Sequence, residues 1–311
     1  MARYFMLRVL DAVPTVFLVL TLVFLALRIL PGDPAVAILG DMAQPEALAA
    51  FRERFGLNDP LPVQYWSFVT DMLTLDLGAS LASGHAVSEL ILTNLGYTLE
   101  LTVAAVLIGV LLGVPAGVMA AVNRNRAPDN GFRLFSLLGY AIPDFYLGAL
   151  LLIVFSLGLG WFPISGAGEG FLDRLHHLVL PAVTLALIKI AFIGRLTRTS
   201  LLEMLGRDFV RTARSKGARE RRVIYRHALR NALLPLSTGL GLSLLSTLSG
   251  AVAVEMVFNR PGLGRLLITA ITERDYPVVQ AGVIMFAAFV VIVNLLMELV
   301  YVLIDPRLRV Q

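Results

Sequence analysis

The sequence predicts an all-α polytopic membrane protein with six transmembrane helices, and three observations carry that expectation. Apolar residues make up 57% of the 311 positions and charged residues only 15%, with a mean hydropathy of +0.79, far from an ordinary globular composition. Six runs are long and apolar enough to cross the hydrocarbon layer, which takes about 20 residues per helix. The Lys and Arg residues between them alternate in number from one connection to the next. The chain has no cysteine, which excludes disulfide scaffolds, cysteine–zinc sites and thiol nucleophiles.

The first run covers approximately residues 9 to 30. No small-residue cleavage pattern follows it, because Arg28, Pro31 and Pro34 come instead, so it is read as a retained span. Residues 31 to 97 are too polar to cross the bilayer and predict a small outward-facing cap. Within that cap EALAAFRERFG suggests a short surface helix beginning near Glu46, and QYWSFVTDMLTL puts Tyr65, Trp66 and Phe68 where aromatic rings suit a membrane interface.

The second run, 98 to 122, holds no charge from Leu101 to Val122 and repeats glycine at Gly109, Gly113 and Gly117. That spacing predicts a smooth seam for close helix packing. The third, 132 to 158, contains Pro143 followed by Asp144; the missing backbone donor predicts a kink, with Asp144 either lining a cavity or bonding to another helix. The fourth, 177 to 197, carries Lys189 at membrane depth. The fifth, 233 to 256, sets Gly239, Ser243, Ser246 and Gly250 on one small, weakly polar face that either packs against a helix or lines a polar route. The sixth, 278 to 304, has Glu298 near its end, and Glu298 and Arg28 are expected to reach the interface.

Of the 26 Lys and Arg residues, 18 fall in one set of connections (1 to 8, 123 to 133, 195 to 234, 305 to 311) and 7 in the other, with Lys189 inside a span. The majority set is cytoplasmic, so both termini are too. The isoelectric point of about 9.6 then records orientation rather than contact with nucleic acid. No repeat of fixed period divides the chain, and residues 1–311 are read as one membrane domain. The histidines His85, His176, His177 and His227 lack metal-ligand spacing, and no Gly-Lys-Ser/Thr phosphate loop exists with only Lys189 and Lys216 in the chain. No catalytic residue and no metal site is expected.

The connection between the fourth and fifth runs contains FVRTARSKGARERRVIYRHALRNALLPL, residues 209 to 236, with eight basic residues against the single acid Glu220. Gly217 separates two helical pieces. On the second piece Arg219, Arg222, Arg226 and Arg230 share one face, and Ile224, Tyr225 and Ala228 are expected opposite them. A basic amphipathic helix of this kind rests on anionic headgroups, contacts nucleic acid, or docks on a cytoplasmic protein. A loop tethered at both ends wraps a polynucleotide poorly, which disfavours the second.

Residues 208 to 235 resemble the cytoplasmic signature loop of ABC importer permeases, in which an Ala, three residues and a Gly form a short helix that fits a cleft on the ATPase subunit. Ala213 and Gly217 match that spacing, with Arg211 and Thr212 where the idealised pattern has Glu and Ala. TARSKG and RHALRNALLP are similar to the form in dipeptide and oligopeptide permeases, as are LPGDP (30 to 34), FGLNDPLPVQYW (55 to 66), LGAS (77 to 80), GWFPISG (160 to 166), HLVLPAVTLAL (177 to 187), VEMVFNRPGLGRLL (254 to 267), RDYPVVQ (274 to 280) and NLLMELVYVLIDPR (294 to 307). The resemblance covers nearly the whole chain and points to the B-type permease of that branch.

It implies a type I ABC importer permease fold in the bacterial inner membrane. It implies partners: a second permease forming a heterodimer, two ATP-binding subunits, and an extracytoplasmic solute-binding protein. ATP and magnesium would sit on the ATPases and no cofactor on this chain. Arg211, Thr212, Ala213, Lys216 and Gly217 would form the ATPase coupling element within the loop 195–234, while Gly239, Ser243, Ser246, Gly250 and Asp144 are candidate pore-lining residues. The cargo would be dipeptides or short oligopeptides; permeases of the same branch carry nickel chelates, glutathione or other small solutes. Two rivals remain: an ion-coupled transporter built on Asp144 and Lys189, and a membrane enzyme, which would need a convergent acid, base or metal cluster.

Overall fold

In a computed structural model of the chain, residues 2–29, 33–40 and 42–304 are described. Leu30, Pro31 and Gly32 of LPGDP, the terminal residues from Asp305 onward and the side chain of Glu298 lie outside the described residues. Among the described residues the regular structure is all helical, with an isolated bridge between Ala79 and Ala86 in place of any strand. In order the helices are α1 (Ala2–Ile29), α2 (Pro34–Leu39), α3 (Pro45–Arg54), α4 (Leu61–Thr74), α5 (Val87–Val122), α6 (Ala127–Ala141), α7 (Asp144–Leu151), α8 (Phe171–Leu205), α9 (Asp208–Ser215), α10 (Glu220–Arg222), α11 (Arg230–Val257), α12 (Leu263–Glu273) and α13 (Tyr276–Ile304). Wide π-helical turns extend α7 over Leu152–Gly158 and join α10 to α11 over Val223–Leu229.

Among the described residues four helices are long and apolar enough to cross a membrane: α5, α8, α11 from Pro235, and α13 to Met297. A fifth candidate is broken. α6 and α7 with its π turn meet at an angle of 102°, at the Pro143 where the sequence predicts a kink. Pro143 donates no backbone hydrogen bond and caps the new helix instead. The first predicted span is met by α1, which is apolar over Pro14–Ile29 among the residues whose side chains are described.

The chain divides into two compact units, 1–97 with 262–292 and 98–261 with 293–311. In the first, Leu20 and Phe24 of α1 pack on Phe68 and Val69 of α4, and Leu27 joins Val87, Ile91, Leu263, Ala270 and Val279. Polar ties pin its loops. Asp33 caps α2 by accepting from the Ala35 amide at 2.9 Å and receives Arg52 of α3 at 2.7 Å. Asp275 accepts from the Leu81 amide at 3.1 Å and from the Ser80 hydroxyl at 2.5 Å. The expected surface helix is α3, with no buried residue. Of the three aromatic residues, Trp66 is exposed, Tyr65 is half-buried, and Phe68 is core.

In the second unit the glycine seam does what its spacing predicts. A Cβ on Gly109 would lie 2.7 Å from the Lys189 Cβ, one on Gly113 3.2 Å from the Ile190 carbonyl, and one on Gly117 against the Gly194 carbonyl. Gly194 on α8 is in turn covered by the Phe132 ring of α6. Close by, Arg198 of α8 donates to the buried Asp129 of α6 at 2.5 and 2.7 Å. Backbones that approach this closely leave no room for a side chain. Gly117→Val is expected to destabilise the folded protein by about 2 kcal/mol or more through overpacking. Gly131→Ala in α6, whose Cβ would meet nothing within 4 Å, is expected to raise stability by up to about 1 kcal/mol. Thermal unfolding in detergent checks the pair.

Candidate functional site

The basic connection is built as one folded piece. α8 ends at Leu205, a short turn follows through Gly206 and Arg207, and α9 opens with Asp208 in its first turn, where a carboxylate complements the helix dipole. Val210 is fully buried in a cluster with Val118 and Ala121 of α5, Leu201 of α8, and Val223, Ile224 and Ala228 beyond.

The end of α9 explains the Ala-x-x-x-Gly spacing. The Ala218 amide donates to the Ala213 carbonyl at 3.2 Å and the Gly217 amide to the Arg214 carbonyl at 2.9 Å, with Gly217 at φ +75°. This is a Schellman cap, which places a left-handed residue four positions after the residue whose carbonyl it helps satisfy. Ala213 and Ala218 both pack on the same apolar cluster, the hydrophobic contact that accompanies such caps. Arg214 then donates to Glu220 at 2.6 and 3.1 Å across the turn, and its guanidinium holds the Glu220 carboxyl below the usual carboxylate range. Helix, turn and following helix are clamped together.

Of the residues expected to couple, Arg211, Thr212, Lys216 and Gly217 are exposed, whereas Ala213 is half-buried and faces the chain's own core. Phe209, which the sequence left unremarked, is 40% exposed on the same short helix; its signal was a large apolar residue one turn before Thr212. Beyond the turn the expected faces are only partly right. Ile224 and Ala228 are buried, but Tyr225 is 54% exposed and Val223 takes the inner position. The π-helical turn over Val223–Leu229 widens the helix and shifts the phase that a 3.6-residue repeat assumes. Tyr225 instead lines a basic groove with Arg219, Arg221 and Arg222.

The small face of α11 is packed. A Cβ on Gly239 would run into Leu196 of α8, and one on Gly250 into the carboxylate of Asp144. Ser243 is buried, and Ser246 accepts from the Lys189 Nζ at 2.9 Å. Thus Asp144, Lys189, Ser246 and Gly250 come together where α7, α8 and α11 meet. A further buried polar group was not anticipated: Thr98 donates to the fully buried Glu255 at 2.5 Å, and Glu100 accepts from Arg174 at 3.1 Å and from the fully buried Arg260 at 2.8 Å. Glu255 stands in the last turn of α11, at the end of the fifth predicted run, and Arg260 in the connection just after it. Among the described residues no His, Cys, Asp and Glu group has the makings of a metal site.

Ala213→Leu is expected to lift α9 from its cluster and destabilise the protein by about 1–3 kcal/mol, while Arg211→Ala, at an exposed position, stays within about 0.5 kcal/mol. Thermal unfolding and limited proteolysis after Arg214 distinguish the two.

The chain is similar to known proteins. Residues 113–310 match the binding-protein-dependent transport system inner membrane component family and residues 1–102 the N-terminal region of such membrane components. The chain is 41% identical over 309 residues, 99% of each sequence, to the glutathione transport system permease protein GsiC of Salmonella typhi. It is 40% identical over 312 residues to the probable peptide ABC transporter permease protein y4tP of Sinorhizobium fredii, covering 99% of this chain and 100% of the other. The di/tripeptide transport system permease protein DppB of Pseudomonas aeruginosa is 41% identical over 323 residues, 96% of each. In fold, an inward-facing MetNI methionine ABC transporter matches with a TM-score of 0.56 at 17% identity, over 70% of this chain and 97% of that one.

Proposed function

The chain belongs to the family of binding-protein-dependent transport system inner membrane components, and from that premise we propose that it is the permease subunit of an ATP-driven importer of dipeptides and short oligopeptides. The relatives named for peptide and di/tripeptide transport support this cargo. Glutathione, the cargo named for relatives at 41% identity, is itself a tripeptide and is the second reading.

The observation that carries the proposal is the clamped α9. It presents Phe209, Arg211, Thr212 and Lys216 outward while Val210, Ala213 and Ala218 hold it to the ends of α5 and α8. A rigid short helix seated in a cleft of an ATPase moves with that cleft, and the force passes into α5 and α8, the two longest of the described helices. Gly239, Ser243, Ser246 and Gly250 then act as a low-friction face along which α11 shifts against α8, with Asp144 beside the route. On this reading residues 1–311 work as one permease domain of six spans, with 31–97 outside and 195–234 and both termini in the cytoplasm. A homologous second permease, two ATPases and a solute-binding protein complete the system, and ATP and magnesium are held by the ATPases alone.

Gly217→Val forces a β-branched residue into the left-handed region, at a cost of roughly 1–3 kcal/mol, although its Cβ would meet nothing within 4 Å. Membrane insertion is expected to persist while ATP-driven peptide uptake in proteoliposomes falls about tenfold or more. Unchanged uptake would count against the coupling role.

A further inference from the structure

One cavity in the first unit is lined by two hydrogen-bond donors that no described residue satisfies. It has a volume of about 280 Å³ and lies among Arg28, Gln64, Phe68, Met72, Tyr276 and Gln280. Among the described residues Arg28 Nη1 and Gln280 Nε2 are both buried without a hydrogen-bond partner, and Gln280 is only 7% exposed. The rest of the guanidinium is fixed. Arg28 Nε and Nη2 donate to Gln64 Oε1 at 3.2 and 3.0 Å, and Gln64 Nε2 is itself anchored on the Leu57 and Asp59 carbonyls at 3.3 and 2.8 Å. The guanidinium carbon sits 4.4 Å from the centre of the Phe24 ring and 4.9 Å from that of Tyr276. One edge of a rigidly held cation is therefore left open by the described residues.

Buried donors without acceptors are rare in folded proteins because each forfeits its hydration without return. A buried cation without a counter-ion is less favourable still. Among the described residues the Arg28 guanidinium meets no carboxylate. The acids that also line the cavity, Asp59, Asp71 and Asp76, are exposed and so stand at its mouth. The wall thus runs from positive and donating inside to negative outside.

We propose that this cavity binds a small zwitterion, a free amino acid or dipeptide, through its carboxylate. Arg28 Nη1 and Gln280 Nε2 donate to the carboxylate oxygens, and the ammonium group is drawn toward Asp59, Asp71 and Asp76. The volume lies at the low end of ligand cavities, which run from about 300 Å³ upward, so it selects short ligands. Only the placement of this site on the outer side rests on the permease reading; the binding chemistry does not.

The test is calorimetric titration of the full chain, co-purified with its companion subunits in lipid nanodiscs, with Ala-Ala, its C-terminal amide and its N-acetyl derivative. Ala-Ala is expected to bind saturably at one site, and the amide about tenfold or more weakly, because a charge-assisted pair is lost. The acetyl derivative is expected to fall between them. Gln280→Met keeps the shape and removes an unsatisfied donor. It is expected to leave the ligand-free melting temperature equal to or above that of the parent while weakening Ala-Ala about tenfold. No saturable binding, equal affinity for the amide, or a Gln280→Met variant that melts lower yet binds as before overturns the proposal. So does a result in which Ala-Ala fails to bind but the variant loses capture of the solute-binding protein, since the carboxylate then comes from that protein. ATP-driven uptake in the same preparation reads on the permease assignment separately.

Discussion

In hydrocarbon two helices gain nothing by hiding apolar surface from water, so their association rests on close packing and on the few polar bonds between them. The second unit is organised around one such contact, the approach of α5 to α8 at Gly109, Gly113, Gly117 and Gly194. Because those backbones nearly touch, α6 can reach across with Phe132 and pair Asp129 with Arg198, and α11 can lay its small face on the other side of α8. Lose the seam and each of these second contacts loses its footing.

The same pair of helices carries the basic connection. Val118 and Ala121 at the end of α5 and Leu201 near the end of α8 form the floor on which Val210 and Ala213 rest. α9 is held by apolar packing on one side, by its cap at Gly217 and by the Arg214–Glu220 pair, and the outward side is free for a partner. The seat is stiff: a helix free to pivot on it would absorb a displacement, whereas one held on three sides passes it on.

Much of this was legible in the sequence because lipid imposes simple rules. Runs of apolar residues marked the spans, the four-residue glycine repeat marked the seam, Pro143 marked the break, and Gly217 marked the turn. What escaped was whatever depends on tertiary placement. Tyr225 was assigned to the inner face because a regular helix was assumed, and one wide turn moved it outward. Ala213 was grouped with the docking surface by its motif, yet its carbonyl and methyl group serve the cap and the core. Glu255 and Arg260 are fully buried, which neither the end of the fifth run nor the connection after it announces, because their partners Thr98 and Glu100 are more than 150 residues away in the chain. The candidate pore residues were visible as a face, but whether a face packs or opens is a property of the helix opposite it.

Lys189 draws a different kind of consequence. Its hydrogen-bond acceptor, Ser246, follows 57 residues later in the chain. At about 5–20 residues per second of synthesis, roughly 3–11 s separate the two on the ribosome. Throughout that interval the ammonium group has the carboxylate of Asp144, made before it, within electrostatic reach but lacks its hydroxyl acceptor. The bond that ties α8 to α11 at this depth is therefore a late one, closed only after α11 has been made.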